Sequence, residues 1–169
     1  IVTAFSEDVI TDVQVNPAGA DSRRPMVSVE SDVITTVLAP TPRMIIAGIG
    51  PFAEALAAQA ALLNWKVVVE ARPDAVAGLA ATLSSSDAIV VMGHEVEKSS
   101  GCLMAALASE AGYVGALGSH SMQQSRADWL AYRDVVDLSR VHGPAGLDIG
   151  AKSPQEVAVA IAAEAIATI

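Results

Sequence analysis

The sequence has a single cysteine, Cys102, and little positive charge. One cysteine cannot form a disulfide within the chain, which favours a reducing, cytoplasmic compartment. Ten Lys and Arg residues stand against 19 Asp and Glu residues, so the formal net charge is −9. A nucleic-acid backbone or an anionic membrane would need clustered cations, and no run of Lys or Arg supplies them. We therefore expect neither as the main partner.

Long apolar runs and aromatic residues are also scarce. The alanine-rich end, residues 157–169, is the most apolar stretch, but Glu164 interrupts it. No segment reaches the roughly 18 apolar residues that suggest a membrane span. With 52% hydrophobic and only 4% aromatic residues, the core must consist of Ala, Val, Ile and Leu, which suits helices packed on a parallel sheet. The chain has no secretory signal and starts at Ile1, which leaves open whether it is a fragment.

The first 42 residues differ in character from the rest. Short β-like runs occur at residues 9–15, 26–29 and 33–38, separated by the turn sequence Asn16-Pro17-Ala18-Gly19 and by charged residues. The segment Ala39-Pro40-Thr41-Pro42 is a stiff linker, because proline restricts its own backbone and that of the preceding residue. We predict a short β-rich segment over residues 1–42, which could be the remnant of a larger domain, and a nucleotide-binding domain over residues 43–169.

A strand, a glycine loop and a helix follow the linker in an order typical of nucleotide binding. The buried apolar run 44–47 predicts a strand, and Gly48, Gly50 and Ala53 then match the pattern G-x-G-x-x-G/A. In this pattern the first glycine permits a tight turn, the second lets the backbone approach a phosphate, and the small third residue allows close helix packing. The predicted helix runs from Pro51 to about Leu63, with Pro51 removing one amide from its N-terminus.

A second β-rich run, residues 66–69, ends at Glu70. An acid about twenty residues beyond the glycines is the group that holds a ribose hydroxyl in dinucleotide-binding domains. Arg72 could instead attract a 2′-phosphate, but the acid stands at the strand terminus, so we favour an unphosphorylated ribose. The alternative for the whole unit is an ordinary βαβ element whose glycines only make a turn.

Two further predicted strands also end in small or polar residues. Residues 87–92 lead to Gly93-His94-Glu95, and residues 113–118 lead to Ser119 and His120. The glycine-rich stretch 141–150, which contains Asp148, is predicted to be a loop. Alternating strands and helices predict an α/β fold, a Rossmann-like doubly wound, mainly parallel sheet with helices on both faces. Right-handed crossovers would place all these loops at one edge.

Helices are predicted at residues 73–83, 103–111 and 123–132. The sequence Ser153-Pro154-Gln155-Glu156 is a capping box with proline at the first helical position, and it predicts a last helix over residues 154–168. The pattern does not decide the state of residues 134–137.

Four stretches of this sequence resemble the XdhC/CoxI family of accessory proteins for molybdenum hydroxylases such as xanthine dehydrogenase. They are PTPRMIIAGIGPFAEALAAQAALLNWKVVVEARP, DAIVVMGHE, YVGALGS and VHGPAGLDIGAKSPQEVAVAIAAEAIA, which together span about residues 40–167. YVGALGS and GLDIGAKSPQEVAVAIAAE are the most specific, since generic Rossmann domains lack them. The resemblance implies a protein that binds molybdenum cofactor (molybdopterin or its dinucleotide), protects it and helps its sulfuration and insertion.

The implied partners are a molybdenum hydroxylase and, for sulfuration, a cysteine desulfurase, with a homo-oligomer left open. The chain departs from the family pattern in three ways. It has Pro51 where the family usually has histidine, and His120 and Ser121 where arginine or lysine is usual. Residues 1–42 have no counterpart of the family's Ser-Gly-Gly-Cys-type stretch, so the role of that cysteine cannot be assigned to Cys102.

Several residues keep two interpretations. His94 matches the family's strand-end histidine and would face the ligand, or it could serve as a helix N-cap or make a hydrogen bond within its loop. His142 and Asp148 could orient a ligand or one another, or Asp148 could accept backbone amides and hold its loop. Cys102, placed at a predicted helix start, is interpreted as a packing residue. The candidate ligand-binding residues are Gly48, Gly50, Pro51, Phe52, Ala53, Glu70, Arg72, Gly93, His94, Gly118, Ser119 and Asp148.

No residue is assigned a catalytic role, and we expect a binding protein rather than an enzyme. The spacing of His94, His120 and His142 matches no zinc pattern, so no metal site is predicted. The alternative function is an NAD-dependent oxidoreductase or an NAD-binding regulatory domain, which Glu70 and the glycine loop would support.

Overall fold

A computed structural model describes residues 1–6, 9–14, 26–38 and 40–169 of the chain. The chain divides into two compact units, residues 1–40 and 41–169. The domain boundary that the sequence indicates, after residue 42, remains a prediction. The turn predicted at residues 16–19, together with Val15 and Ala39, lies outside the described residues.

The first unit is an antiparallel sheet of four strands in the order β2-β1-β4-β3. The three predicted β-like runs are confirmed as strands, and the first strand is one that the sequence pattern did not reveal. Their bounds are β1 Val2–Ser6, β2 Val9–Gln14, β3 Met26–Glu30 and β4 Val33–Val37.

The second unit is a five-stranded parallel sheet in the order β6-β5-β7-β8-β9, with helices between the strands. This confirms the predicted Rossmann-like fold. Its elements are β5 Arg43–Ala47, α1 Pro51–Leu62, β6 Lys66–Glu70, α2 Pro73–Ala80, β7 Ala88–Val91, α3 Val96–Leu107, β8 Tyr113–Ala116, α4 His120–Ala131, β9 Val141–His142 and α5 Pro154–Thr168.

Alternate residues of the central strands point to opposite faces, so the sheet separates two apolar layers. On one face, Met44 and Ile46 pack with buried residues of α1 and α5. On the other face, Ile45 and Ala47 pack with buried residues of α2, α3 and α4. Helices therefore cover both faces, as predicted for a sheet whose strands are apolar throughout.

Several predicted boundaries are wrong. Helix α3 spans Val96–Leu107 rather than residues 103–111. Serine has a low helix propensity, which obscured the first turns in the sequence, but Ser99 and Ser100 are buried in the folded protein. Helix α4 begins at His120 rather than residue 123, since Ser119 caps it. Within the predicted loop, Val141 and His142 instead pair with β8 as the edge strand β9.

Two helix-interior glycines offer a stability prediction. A Cβ atom added at Gly78 in α2 or at Gly101 in α3 would meet nothing within 4 Å. We expect Gly78→Ala and Gly101→Ala each to raise the free energy of unfolding by about 0.5–1 kcal/mol, because alanine loses less backbone entropy on folding. Urea denaturation followed by circular dichroism would measure this gain.

The matched comparison is Gly112→Ala. There a Cβ would lie 2.1 Å from the backbone oxygen of Ser85, so this variant should be destabilised. Equal changes in the free energy of unfolding for the three substitutions would contradict the open surroundings of Gly78 and Gly101 and the close contact at Gly112.

Candidate functional site

The carboxyl ends of the parallel strands form one edge of the sheet, and a crevice is expected between β5 and β7. From β5 the chain crosses to β6 on one side, and then α2 leads it back to β7 on the other side of β5. This reversal is a topological switch point, where open α/β sheets bind ligands. The loops at the crevice are residues 48–50, after β5, and residues 92–95, after β7.

Both glycines of the first loop adopt positive φ angles, for different reasons. At Gly48, with φ 149°, an added Cβ would come within 3.1 Å of Met92 Cβ, so close approach to the end of β7 requires glycine here. At Gly50, with φ 106°, an added Cβ would meet nothing within 4 Å. Gly48 thus closes the turn, while Gly50 presents its backbone to open space. Ala53 is 1% exposed and packs α1 on the sheet.

The N-terminus of α1 has no side-chain cap. Gly50 occupies the cap position and Pro51 the first helical position, as the sequence predicts. Helix geometry leaves the amides of Phe52 and Ala53 without carbonyl partners inside the helix. Helix α3, on the other side of the crevice, also lacks a side-chain cap at Glu95. By contrast, Ser119 caps α4 and Ser153 caps α5 through the predicted capping box.

Glu70 and Arg72 bind each other at the end of β6. The Glu70 carboxylate accepts hydrogen bonds from the amides of Ala71 and Arg72, both at 2.9 Å, and from the guanidinium of Arg72 at 2.8 and 3.1 Å. Bonds from the Arg72 side chain and backbone lower the pKa of Glu70 to about 2. The two residues that were predicted to compete for a ribose or a phosphate are therefore already paired.

The predicted residues after β7 have different environments. The carbonyl oxygen of Gly93 accepts a 2.7 Å hydrogen bond from Arg126. His94 is exposed at the carboxyl edge. It is not a helix N-cap, because α3 begins at Val96 and Glu95 holds the N-cap position.

Arg126 is a buried arginine beneath these loops, with 1% of its surface exposed. It donates from Nε to Ser99 Oγ at 3.1 Å, from Nη1 to the oxygen of Leu117 at 2.8 Å, and from Nη2 to the oxygen of Gly93. Burial lowers its pKa below the ordinary value, yet arginine stays protonated in proteins. One guanidinium thus joins the loop after β7 to the loop after β8.

The loop after β8 contains the predicted residues Gly118 and Ser119. Gly118 has φ 139°, and an added Cβ would lie 3.5 Å from Nη1 of Arg126 and 3.0 Å from Met122 Cγ. The Ser119 hydroxyl accepts from the Met122 amide at 3.3 Å as the N-cap of α4. Ser119 therefore has a structural role that its position at a strand end did not reveal.

A cleft of about 460 Å³ lies beside the loop at residues 144–151. Asp148 lines this cleft and is exposed. It is not the acid that holds the loop. Glu164 of α5 does so, accepting from the Gly146 amide at 2.7 Å and from the Tyr113 hydroxyl at 2.6 Å.

His142 belongs to the same cluster, with Nδ1 3.2 Å from Glu164 Oε1 and its ring centroid 4.8 Å from that of Tyr113. Burial, and then Glu164, raises the pKa of Tyr113 above its ordinary range. His142 is therefore paired with Glu164, and the predicted alternative in which His142 and Asp148 orient one another is not the arrangement seen.

Comparison with known proteins decides the family. The profile of the XdhC Rossmann domain matches residues 44–165, most of the chain. The chain belongs to the XdhC family. Its Rossmann domain contains the glycine loop, the crevice and the cleft described above.

A solved structure agrees with this assignment. It is the crystal structure of a xanthine dehydrogenase from Bacillus halodurans, with 25% sequence identity and a TM-score of 0.66 over 81% of this chain. The match covers 45% of that protein, so the present chain spans less than half of its length. Among curated proteins, none matches the sequence significantly.

Two residues that organise the XdhC Rossmann domain were missed from the sequence. Arg126 occupies the spacing Met122, Arg126, Leu130, so it lies on the core-facing stripe of α4, where a lone cation is unusual. That spacing could have identified it. Glu164 was noted only as an interruption of an apolar run, although a single acid within such a run also indicates a buried partner.

Other sequence-based interpretations concern metals and membranes. Within the described ranges, no group of three or more His, Cys, Asp or Glu residues is arranged to hold a metal ion. Cys102 is buried within α3 rather than at a helix start, and burial raises the pKa of its thiol. Among the described residues, no helix has the length and apolar character needed to cross a membrane.

Proposed function

We propose that this XdhC Rossmann domain binds a phosphate-bearing ligand of the molybdopterin type and serves in the maturation of a molybdenum hydroxylase. The observation that carries the proposal is the glycine loop at the switch point. There the backbone at Gly50 faces open space and the N-terminus of α1 is uncapped.

The electrostatics of this loop suit an anion even though the chain is acidic. Unpaired amides and the helix dipole together place partial positive charge at an uncapped N-terminus. The amides of Phe52 and Ala53 supply the donors on the side of β5, and α3 presents a second uncapped end on the side of β7. Pro51 removes one donor and Glu54 adds a negative charge in the first turn, so affinity for phosphate alone should be modest.

The family and the solved structure named xanthine dehydrogenase support our choice of partners. We propose that the domain presents molybdenum cofactor to a xanthine dehydrogenase-like enzyme, with a cysteine desulfurase supplying the sulfur for sulfuration. It would act in the cytoplasm as a binding protein without catalytic residues of its own.

The NAD alternative depends on Glu70. Its carboxylate stands where a ribose hydroxyl would bind, and 19% of its side chain is exposed. However, the bonds from residues 71 and 72 already engage both of its oxygens. A dinucleotide would have to share or displace Arg72, which makes NAD the weaker candidate.

We expect Gly50→Ala to weaken binding of molybdenum cofactor about tenfold or more. The new methyl group would enter the open space at the α1 N-terminus, and a tenfold loss corresponds to about 1.4 kcal/mol. Calorimetric titration with released molybdenum cofactor, pyrophosphate and NAD in turn would measure the effect and distinguish the two functions. Mass spectrometry of the purified protein would identify any ligand retained from the cell.

The control is Asn64→Ala. Asn64 has φ 58° and lies just beyond the opposite end of α1, so alanine there also meets a positive-φ strain, of about 1 kcal/mol, without touching the glycine loop. Binding should be unchanged in this variant. A wild-type protein that binds neither molybdenum cofactor nor pyrophosphate would defeat the proposal, and tight binding of NAD alone would favour the alternative.

A further inference from the structure

The cleft beside residues 144–151 is separate from the glycine loop. It lies at the same carboxyl edge of the sheet, between Leu117 at the end of β8, His120 at the start of α4, and Val157 in α5. Strand β8 is two positions from β5 in the sheet, so about 10 Å separates the two strand ends. A small anion at the glycine loop would not reach the cleft, whereas an extended ligand could occupy both.

The loop that forms the cleft is fixed before any ligand arrives. The amide of Ala145 donates to Ala116 at 3.0 Å, and that of Leu147 donates to Ala160 at 3.2 Å. The Gly146 amide between them binds the Glu164 carboxylate. These three bonds tie the loop to β8 and α5, so the cleft is a preformed cavity of the size that small ligands use.

The walls of the cleft are mainly apolar, and Asp148 adds a carboxylate. Leu147 and Ile149 line it and leave 43% and 58% of their surfaces exposed. Among the described residues, the Asp148 side chain has no hydrogen-bond or ion-pair partner. An ionised carboxylate is an acceptor only. The cleft therefore combines exposed apolar surface with an unpaired acceptor in its lining.

We propose, resting on the proposed function, that this cleft binds the ring of the ligand through its 2-amino-4-oxopyrimidine edge. Pterins and guanine share that edge, which presents two adjacent N–H donors to the two oxygens of a carboxylate such as Asp148. Adenine places a ring acceptor beside its amino group, so one oxygen of Asp148 would face a lone pair. The site thus selects pterin-type or guanine-type rings over adenine.

The proposal is tested with free pterin and adenosine, neither of which carries phosphate, and with pyrophosphate, which carries no ring. Pterin fluorescence should change on titration with the wild-type protein, and adenosine should bind at least tenfold more weakly. Asp148→Asn should weaken pterin binding about tenfold, because a hydrogen bond to a charged group is lost. Ala151→Trp, which fills the cleft, should abolish it.

Asp134→Asn is the matched control. Asp134 is also exposed and follows the other end of α4, away from the carboxyl edge, and asparagine tolerates its φ of 62°. Pterin binding should be unchanged there, and circular dichroism should show the same fold for all variants.

The outcomes separate the two proposals. Pyrophosphate binding without pterin binding, or pterin binding that Asp148→Asn leaves unchanged, overturns the ring assignment and leaves the glycine-loop proposal standing. Pterin binding that is lost in Asp148→Asn and retained in Gly50→Ala supports the ring assignment. Failure of the wild-type protein to bind pterin, pyrophosphate and molybdenum cofactor overturns both.

Discussion

Arg126→Ala is expected to lower the free energy of unfolding by about 2–4 kcal/mol and to weaken ligand binding at the carboxyl edge. The substitution removes the donor from four acceptors, the backbone oxygens of Gly93 and Leu117, the hydroxyl of Ser99 and the side-chain oxygen of Gln123. Each buried group that loses its partner costs about 1–3 kcal/mol. The removed charge was itself desolvated, so part of this loss is offset.

The effect on binding follows from which loops the guanidinium joins. Gly93 belongs to the crevice beside the glycine loop, and Leu117 lines the cleft. Without Arg126 both loops lose an anchor at once, so pterin and pyrophosphate binding should both weaken. Arg126→Lys should fall between wild type and alanine, because an ammonium group keeps the charge but lacks the planar fork that reaches several acceptors at once.

Arg140→Ala is the control that separates the effect of burial from the loss of an arginine's hydrogen bonds. Arg140 likewise makes several hydrogen bonds, to the backbone oxygens of Leu107, Ser109 and Ala111, but it is exposed and water can replace it. Its loss should cost about 1 kcal/mol or less and leave ligand binding unchanged. Urea denaturation and calorimetric titration of the three variants would measure both quantities. Equal stability losses for Arg126→Ala and Arg140→Ala would contradict the anchoring role.

The glycine loop could be predicted because its information is local. Gly48, Gly50 and Ala53 lie within six residues, and each matches a steric requirement of one turn. The capping box at Ser153 and Glu156 is local in the same way, and the structure contains both of its hydrogen bonds. The order of strands and helices then follows from apolar runs and turns, and the structure confirms the fold that this order predicts.

The contacts that shape the remaining loops are not local. Glu164 reaches Gly146 across 18 positions and Tyr113 across 51, and Arg126 reaches Gly93 across 33. Nothing in the sequence near Gly146 distinguishes Glu164 from the nearer Asp148 as the acid that holds the loop. Likewise, the pairing of Glu70 with Arg72 depends on side-chain geometry at the strand end rather than on the spacing alone.

The opposite, amino-terminal edge of the sheet has a different role. Asp87 lies there, just before β7, and is 3% exposed. Its carboxylate accepts from the backbone and the guanidinium of Arg43 at 2.9 and 2.7 Å, and from the amide and hydroxyl of Ser84, both at 2.8 Å. Its backbone oxygen accepts from the amide of Gly112, just before β8. One residue thus ties β5, β7 and β8 together at the edge away from the ligand loops.

Asp87→Ala is expected to lower the free energy of unfolding by about 1–3 kcal/mol, because the donors of Arg43 and Ser84 lose a buried acceptor. The Arg43 side chain is 38% exposed, so water can hydrate its guanidinium when the carboxylate is removed. The folded Asp87→Ala protein should still bind pterin and pyrophosphate as the wild type does, because Asp87 contacts none of the carboxyl-edge loops. Asp74→Ala, which removes an exposed acid from the first turn of α2, should cost at most about 1 kcal/mol. A loss of ligand binding in folded Asp87→Ala would contradict this separation of stability from function.

The same residue predicts a pH dependence of stability. Burial opposes ionisation of Asp87, but hydrogen bonds from Arg43 and Ser84 outweigh it and hold its pKa below the ordinary value. A carboxyl group whose folded pKa is lowered stabilises the protein above its unfolded pKa of about 3.9, and this contribution is lost as pH falls through the folded pKa. Wild-type stability should therefore fall more steeply below about pH 4 than that of Asp87→Asn, as urea denaturation at several pH values would show. Parallel curves would mean that Asp87 is not the group that links protonation to unfolding, because asparagine has no proton to gain in that range.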